Sequence, residues 1–559
     1  MTSSYTKLVS NKFTQIVGHK LNVPRPTFQV RKGAVDPEVH LPVNSSFGEV
    51  DFGQSIPTEA DYHIKDVRLC GEGKHKKIVI GLCRNQFIQS VLNDSSTKRR
   101  SLTKAPKTLI EFSSPNIAKP FHAGHLRSSI IGNFLANIYY HLGHDVVKLN
   151  YLGDWGTQFG FLKMGVELKG LSREDIQRNP ITTLYEAYVH AHKQAANNEE
   201  LQLRARNIFS DMEQGKLGDL NEWTDYRAYT VDELRSMYDR LGITFDHYHW
   251  ESQYGINDIA DVVSLMQDKD ILFLQDDGRK IAKVGARKVP IVKSDGTTLY
   301  LTRDIAALID RHERFNFDKA IYVVDNSQTD HFAALVSIAQ QMGLRYAADI
   351  VHVKFGRVLG MSTRQGTAVF LKDILDEAET LMRHKQINKQ TTKIDVTSNP
   401  EITAILGTTA VIINDLKQRR MRDYAFSWDK ALQTDGDCGI KLQYTHCRLC
   451  SLERNTDELC DSETCHPELL PEAEALNLIC EIANYDGVLA DAADKQEACI
   501  LVNYLFGLCN ATNRCFLTMN VKNEPLKERR MQKLKLFNTA RKVLQHGMQI
   551  LGLKPLQEM

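Results

Sequence analysis

A chain of 559 residues is too long for one compact core, and its 42% hydrophobic and 25% charged content is that of an ordinary globular protein rather than a disordered or fibrous one. A formal net charge of +1 excludes a uniformly basic chain, so any contact with nucleic acid must come from local patches. No apolar run approaches the roughly 20 residues that cross a bilayer, and eleven cysteines without a secretory apolar region point to free thiols rather than a disulfide framework.

The first acidic residue is Asp36, and before it Lys7, Lys12, Lys20, Arg25, Arg31 and Lys32 lie among serines and threonines. Residues 1–35 thus have the composition of an organelle transit segment, or equally of a short basic lead-in to a folded domain. Short apolar segments such as Ile78 to Leu82 then alternate with polar stretches, and Asn93 to Arg100 reads as a linker. Residues 1–105 are therefore taken as a small N-terminal α+β domain.

From Lys107 the pattern changes. Thr108 to Phe112 reads as a buried strand, and Leu126, Ile130, Ile131, Phe134, Leu135, Ile138 and Leu142 recur at helical spacing until Gly143. Val146 to Tyr151 restores a strand, completing a βαβ unit and predicting a parallel sheet with ligands beyond its carboxyl edge. The alternation resumes with a strand near Leu299, a helix over Ile305 to Asp310, a strand at Ala320 to Val324, a helix from His331 and a strand at Ile350 to Phe355. The charged stretch from about 165 to 285 reads as a mainly helical insertion. Residues 106–400 are thus expected to form a Rossmann-like α/β domain, and 401–559, where strands largely disappear, a helical bundle.

The most informative segment runs from Glu111 through Ser113, Ser114, Pro115, Asn116, Ile117, Ala118, Lys119, Pro120, Phe121, His122, Ala123, Gly124 and His125 to Leu126 and Arg127. It joins a predicted strand to a predicted helix, where backbone N–H groups and the helix dipole favour an anion. His122 and His125 can face one site there, with Gly124 admitting a purine or ribose against the backbone. The alternative is one capping and one exposed imidazole; a zinc helix needs a different spacing and a neighbouring glutamate. No P-loop pattern occurs, so if ATP binds, this segment is its best candidate.

With Ser114 to Lys119, His122-Ala123-Gly124-His125-Leu126-Arg127-Ser128 and Tyr151 to Gly160 in order, the chain resembles the arginyl-tRNA synthetases of class I. The resemblance implies a reaction of L-arginine with ATP and tRNA(Arg), with Mg2+ accompanying ATP, no protein-held metal, no membrane and a monomeric chain. It implies ATP contacts at His122, Gly124, His125, Met361 and Ser362, and arginine contacts at Ser114, Pro115, Asn116 and His125. His122, His125 and Lys119 are the catalytic candidates. The stretch Gly360 to Gly366 lacks the two lysines of the usual second class I motif; arginyl enzymes with this departure carry a lysine before the first motif, where Lys119 stands. Arg364 either assists or is a solvated loop residue.

A carboxylate facing a planar guanidinium is the natural device for arginine, each charge-assisted bond contributing roughly 1.5–3 kcal/mol. Tyr300 to Asp304 offers one, with Tyr300 ending a strand and Asp304 in the first turn of the next helix; the competing reading is a dipole-favoured acid beside a core tyrosine. The resemblance adds Gln328 as a further arginine ligand, otherwise a surface amide. Glu111, a charge inside an apolar strand, needs a partner, either substrate or a buried arginine.

The resemblance makes residues 1–105 a tRNA-contacting domain and 401–559 an anticodon-binding domain. Tyr444 and Arg448, four apart on one predicted helix face, are its tRNA-binding candidates, with core packing the alternative for Tyr444. Cys447, Cys450, Cys460, Cys465 and His466 superficially suggest zinc, against buried thiols as the plainer reading. Other readings are a nucleotidyltransferase with the same two histidines, a synthetase for another amino acid, and a regulatory RNA-binding relative. The expected location is the mitochondrial matrix, with the cytoplasm as the alternative.

Overall fold

The computed structural model describes residues 27–31, 35–42, 64–71, 77–93, 97–117, 121, 123–213, 221–294, 298–361, 370–388, 398–433, 436–456 and 465–559. They form two compact units, one within Met1–Ser101, Leu381–Arg419 and Asp429–Met559, the other within Leu102–Thr380 and Arg420–Trp428.

In the first unit, strands β1 (Thr27–Gln29), β2 (Glu38–Pro42), β3 (Ile64–Cys70) and β4 (Lys77–Leu82) make an antiparallel sheet in the order β1-β2-β4-β3. Ile78, Val79, Ile80 and Leu82 are buried in its core. This sheet is not a free-standing module. The Phe28 N–H donates to Asn484 Oδ1 at 2.8 Å and the Phe28 carbonyl accepts from Asn484 Nδ2 at 2.9 Å, tying β1 to the helix Ala473–Lys495. The helices Pro400–Leu416, Gly439–Arg454, Ala498–Thr518 and Lys527–Ile550 complete the unit.

The second unit is built on β5 (Lys107–Glu111), β6 (Asp145–Leu152) and β7 (His247–Trp250), followed by a small antiparallel sheet of β8 (Leu272–Leu274), β9 (Lys280–Val284) and β10 (Arg287–Val292), then β11 (Lys319–Asp325) and β12 (Ile350–Phe355). The main sheet is parallel throughout, in the order β12-β11-β5-β6-β7. Its central strands carry runs such as Leu109-Ile110 and Ala320-Ile321, buried because helices cover both faces of a parallel sheet. The chain winds from β5 out to β7, then reappears on the other side as β11 and β12. The winding therefore reverses beside β5, and loops leaving adjacent strands there diverge into a crevice at the carboxyl edge.

Three expectations need correction. The stretch 165–285 does supply the helices Arg173–Arg178, Pro180–Ala195, Glu199–Glu213, Asn221–Arg240 and Ile256–Asp268, but it also contains β7, an edge strand of the main sheet, and β8 and β9. At four residues β7 is too short to show a period, whereas the Asp277-Gly278 turn between β8 and β9 was a legible hairpin signal. No strand lies at Leu299, which is the N-cap of the helix Tyr300–Phe315; only an isolated bridge joins Val292 to Thr298. Tyr300 therefore opens a helix instead of ending a strand, and Asp304 falls four residues on, one turn above it on the same face.

The helix Thr157–Lys169 approaches its neighbours unusually closely. A Cβ on Gly160 would lie 1.9 Å from the Ala205 carbonyl oxygen, and one on Gly165 2.1 Å from that of Ala187. Glycine costs about 1 kcal/mol in a helix relative to alanine, and here it permits backbone contact with the helices Glu199–Glu213 and Pro180–Ala195. Ile117 and Trp155, from the loops after β5 and β6, pack into the same cluster with Phe159, Leu184 and Trp223. The insertion thus supports the loops that line the crevice.

Candidate active site

The loop after β5 opens with Ser113 at φ 73° and Ser114 at φ 47°, two successive left-handed residues that are not glycine. Each such residue costs on the order of 1–3 kcal/mol and persists only where its surroundings over-determine it. Here they do. The Ser113 N–H donates to Ser128 Oγ at 2.9 Å, Ser129 Oγ lies 2.8 Å from Ser113 Oγ, and the Tyr238 hydroxyl lies 2.7 Å from the same oxygen. Asn150 of β6 donates to the Tyr238 hydroxyl at 2.9 Å and accepts the Ser114 N–H at 3.1 Å. The turn is thus held by β6, the helix Ala123–His141 and the insertion.

Beyond it, Asn116 forms an isolated parallel bridge with Gly153, through Gly153 N–H to the Pro115 carbonyl at 3.1 Å and Ile117 N–H to the Gly153 carbonyl at 3.0 Å. The motif segments after β5 and β6 are therefore stitched together. Asp154 anchors the second segment from a fully buried position: it accepts from the Ser252 N–H at 2.9 Å and the Ser252 hydroxyl at 2.6 Å, with Arg227 at 3.4 Å. Gly124 and His125 lie in the first turn of the helix Ala123–His141, and the His125 ring sits 5.3 Å from that of Phe121. Lys119, His122, Ser362 and Arg364 lie outside the described residues. Met361, at the edge of the second motif, is buried.

The acid-rich end of the crevice is assembled from five elements. Glu111, at the end of β5, pairs with Arg311 at 2.5 Å, both nearly inaccessible, and its other oxygen accepts the Ser114 hydroxyl at 3.3 Å. Of the two partners weighed for this acid, the buried arginine is the one present. The Arg311 guanidinium also stacks 4.5 Å from the Tyr151 ring. Burial pushes the Glu111 carboxyl up; Arg311 opposes this and the charge of Asp304 reinforces it. Asp304 meets His331 Nε2 at 2.7 Å. Tyr300 is 57% exposed, so the core reading of this phenol fails. Its hydroxyl would touch a Cβ on Gly156 at 3.0 Å; Gly156 sits at φ 128°, open to glycine alone. Gln328 closes a short turn after β11 and is exposed.

Glu251 is the residue the sequence did not disclose. It sits in the turn directly after β7, where burial, then the charges of Asp304 and Asp154, push its carboxyl up to about 8 against the pull of Arg303. It also helps raise the Tyr300 phenol, after burial itself. Its only signal was its place after a strand at the carboxyl edge, and that strand had gone unrecognised.

Residues 87–428 match the family described as tRNA synthetases class I (R), catalytic domain, and residues 442–559 match the DALR anticodon binding domain. The chain belongs to the class I arginyl-tRNA synthetases. It is 40% identical over 475 residues to the cytoplasmic arginine–tRNA ligase of Saccharomyces cerevisiae, covering 82% of this chain and 77% of that one. It is 39% identical over 496 residues to a probable mitochondrial arginine–tRNA ligase of Bos taurus, covering 86% and 84%. The Thermus thermophilus arginyl-tRNA synthetase superposes with a TM-score of 0.84 over 99% of this chain and 100% of that one at 18% identity, a likeness of fold. Arginyl synthetase relatives thus include both mitochondrial and cytoplasmic forms, and among the described residues no helix is long and apolar enough to cross a membrane.

In the anticodon-binding domain Tyr444 is 49% exposed, which removes the core-packing reading. Arg448 lies 5.7 Å from the Tyr444 ring and 4.2 Å from that of Phe516, and it donates to Asn513 at 3.2 Å. Cys447 and Cys450 are buried, Cys447 facing the Leu556 carbonyl at 3.3 Å, and burial pushes the Cys447 thiol up to about 12. Cys460 lies outside the described residues.

Proposed function

We propose that the chain loads L-arginine onto the 2′-hydroxyl of the terminal adenosine of tRNA(Arg) in two steps driven by ATP. First, an arginine carboxylate oxygen bonds the α-phosphorus of ATP while the bond from that phosphorus to the bridging oxygen breaks, releasing pyrophosphate. Second, the 2′-hydroxyl oxygen attacks the carbonyl carbon of arginyl-adenylate, gives up its proton, and AMP leaves. Neither step requires a covalent enzyme nucleophile, so positioning and electrostatics supply the catalysis.

The observation that carries this reading is the convergence of Asp304, Glu251 and the Arg311-paired Glu111 beside Tyr300 at the carboxyl edge, in a chain of the arginyl family. A guanidinium is planar and permanently charged, so it needs fixed acids and fork geometry. In this reading Asp304, Tyr300 and Gln328 hold the guanidinium with Glu251, and Glu111 fixes the pocket through Arg311. Ser114, Asn116 and His125, ordered by the Ser113 network and Pro115, take the amino acid's other end. His122, Gly124, His125, Met361 and Ser362 take ATP, and Lys119 offers a cation to the α-phosphate. Among the described residues no group of three or more His, Cys, Asp or Glu side chains could hold a metal; Mg2+, usually bound through substrate phosphates, enters with ATP.

Residues up to about 105 and the C-terminal helices grip tRNA, with Tyr444 and Arg448 as a stacking platform for a splayed base, and the chain acts as a monomer. The matrix location rests on the acid-free lead-in to Asp36. A removable leader ends before Thr27 and not at residue 35, because β1 is paired to β2 and bonded to Asn484. Pyrophosphate exchange measured for every amino acid, with and without total tRNA, tests the reading. Exchange dependent on arginine is expected; none under either condition would favour a regulatory relative.

A further inference from the structure

His331 is the third residue of the helix Thr329–Gln341, which begins where Gln328 ends the turn after β11. Its Nε2 lies 2.7 Å from Asp304 Oδ2, with the two side chains 27% and 28% exposed. Among the described residues Oδ1 of Asp304 has no hydrogen-bond partner. One carboxylate oxygen is thus engaged by an imidazole, and the other is left for a substrate.

We infer that His331 sets the charge an arriving arginine meets: neutral, it donates to Oδ2 and orients Asp304; protonated, it cancels that charge and competes with the guanidinium. The inference rests on Asp304 being the guanidinium ligand.

The groups around this pair come from every neighbouring element. Glu111 of β5, Tyr151 of β6, Glu251 after β7 and Tyr322 of β11 all sense the charge of Asp304, while Arg311 is tied to Glu111 and Arg303 faces Glu251. On the histidine's own helix, Asp330 is engaged by Arg287 at 2.5 Å. Among the described residues Asp304 is the charge that moves the imidazole: burial would lower its pKa, but the bond and charge of Asp304 outweigh burial and raise it above the ordinary histidine value. His331 is therefore a side chain here whose charge changes within the working pH range, together with Glu251, whose carboxyl is pushed up to about 8. Arginine affinity should fall as pH falls through that transition, with ATP affinity unaffected.

The test is the KM for arginine in pyrophosphate exchange between about pH 6 and 8, with tRNA(Arg) present and Mg-ATP saturating, for the wild type, His331→Gln, His331→Ala and Asp304→Asn. The wild-type KM should rise about fivefold toward the acid end. His331→Gln, whose amide can still donate to Oδ2, should match the wild type at about pH 8 and show a smaller acid rise, the remainder coming from protonation of Glu251. His331→Ala should raise KM at every pH. A ratio of wild-type to His331→Gln KM that stays constant across the range overturns the inference, provided Asp304→Asn still raises the KM. If Asp304→Asn leaves KM unchanged, it is the pocket reading that falls.

Discussion

Both the helical C-terminal body and the crevice of the parallel sheet bury titratable side chains, but those of the helical body are mostly groups that can discharge, the Lys533–Glu524 ion pair at 2.7 Å being an exception. In the helical body, burial pushes the thiols of Cys447, Cys450, Cys480, Cys509 and Cys515 up, and the imidazole of His546 down to about 4. Every one of these shifts favours the neutral form, and a neutral group with a partner, such as His546 bonded to Tyr485 at 2.6 Å, packs at little cost. In the crevice the buried groups include Arg303 and Arg311, which cannot become neutral, and acids drawn close enough to disturb one another. Burial of groups that can discharge is packing. Burial of permanent charge with incomplete compensation marks a site.

The sharpest way to break this contrast is to remove the arginine. Arg311→Met should destabilise the catalytic unit by about 3–5 kcal/mol in urea unfolding, because it leaves Glu111 buried and unpaired, whereas Cys450→Ala in the helical body should cost about 1–2 kcal/mol; equal costs would erase the distinction. Next in size, Asp304→Asn should raise the arginine KM about 100-fold through loss of charge-assisted bonds while leaving the ATP KM near wild type.

The third prediction concerns pH. His546 has a folded pKa of about 4, below its unfolded value, so between the two the unfolded chain binds more protons. Stability should therefore rise with pH through that window and be lost, by about 3 kcal/mol, as pH falls from about 6.5 to about 4. His546→Phe should flatten that part of the profile, as followed by thermal melts. Smaller still, Tyr238→Phe keeps the ring but unties Ser113 and Asn150, and should lower kcat/KM for arginine about tenfold with little change in Tm. The smallest effect expected is none: a chelator should leave the melting temperature unchanged, and a clear drop would show that the cysteines do hold a metal.

Much of this was legible in the residue order. Alternation from Lys107 disclosed the parallel sheet, because strands buried on both faces read as apolar runs and their crossover helices as amphipathic ones. The motif residues Ser114 to His125 and Tyr151 to Gly156 were visible as a pattern over linked segments. Glu251 was not, since a strand of four residues carries no period, and nor was the Arg311 partner of Glu111, exactly 200 residues away in the chain.

Local order therefore settled the apolar strands of the main sheet, their crossover helices and the family motifs, since these depend on neighbours a few residues apart, but not β7, β8 and β9. Folding alone decided which acid is paired with arginine, which is bonded to histidine, and which is left to be raised by its neighbours' charge. Those outcomes depend on distances across the sheet and on how much water reaches each group, and neither is written in the order of residues along the chain.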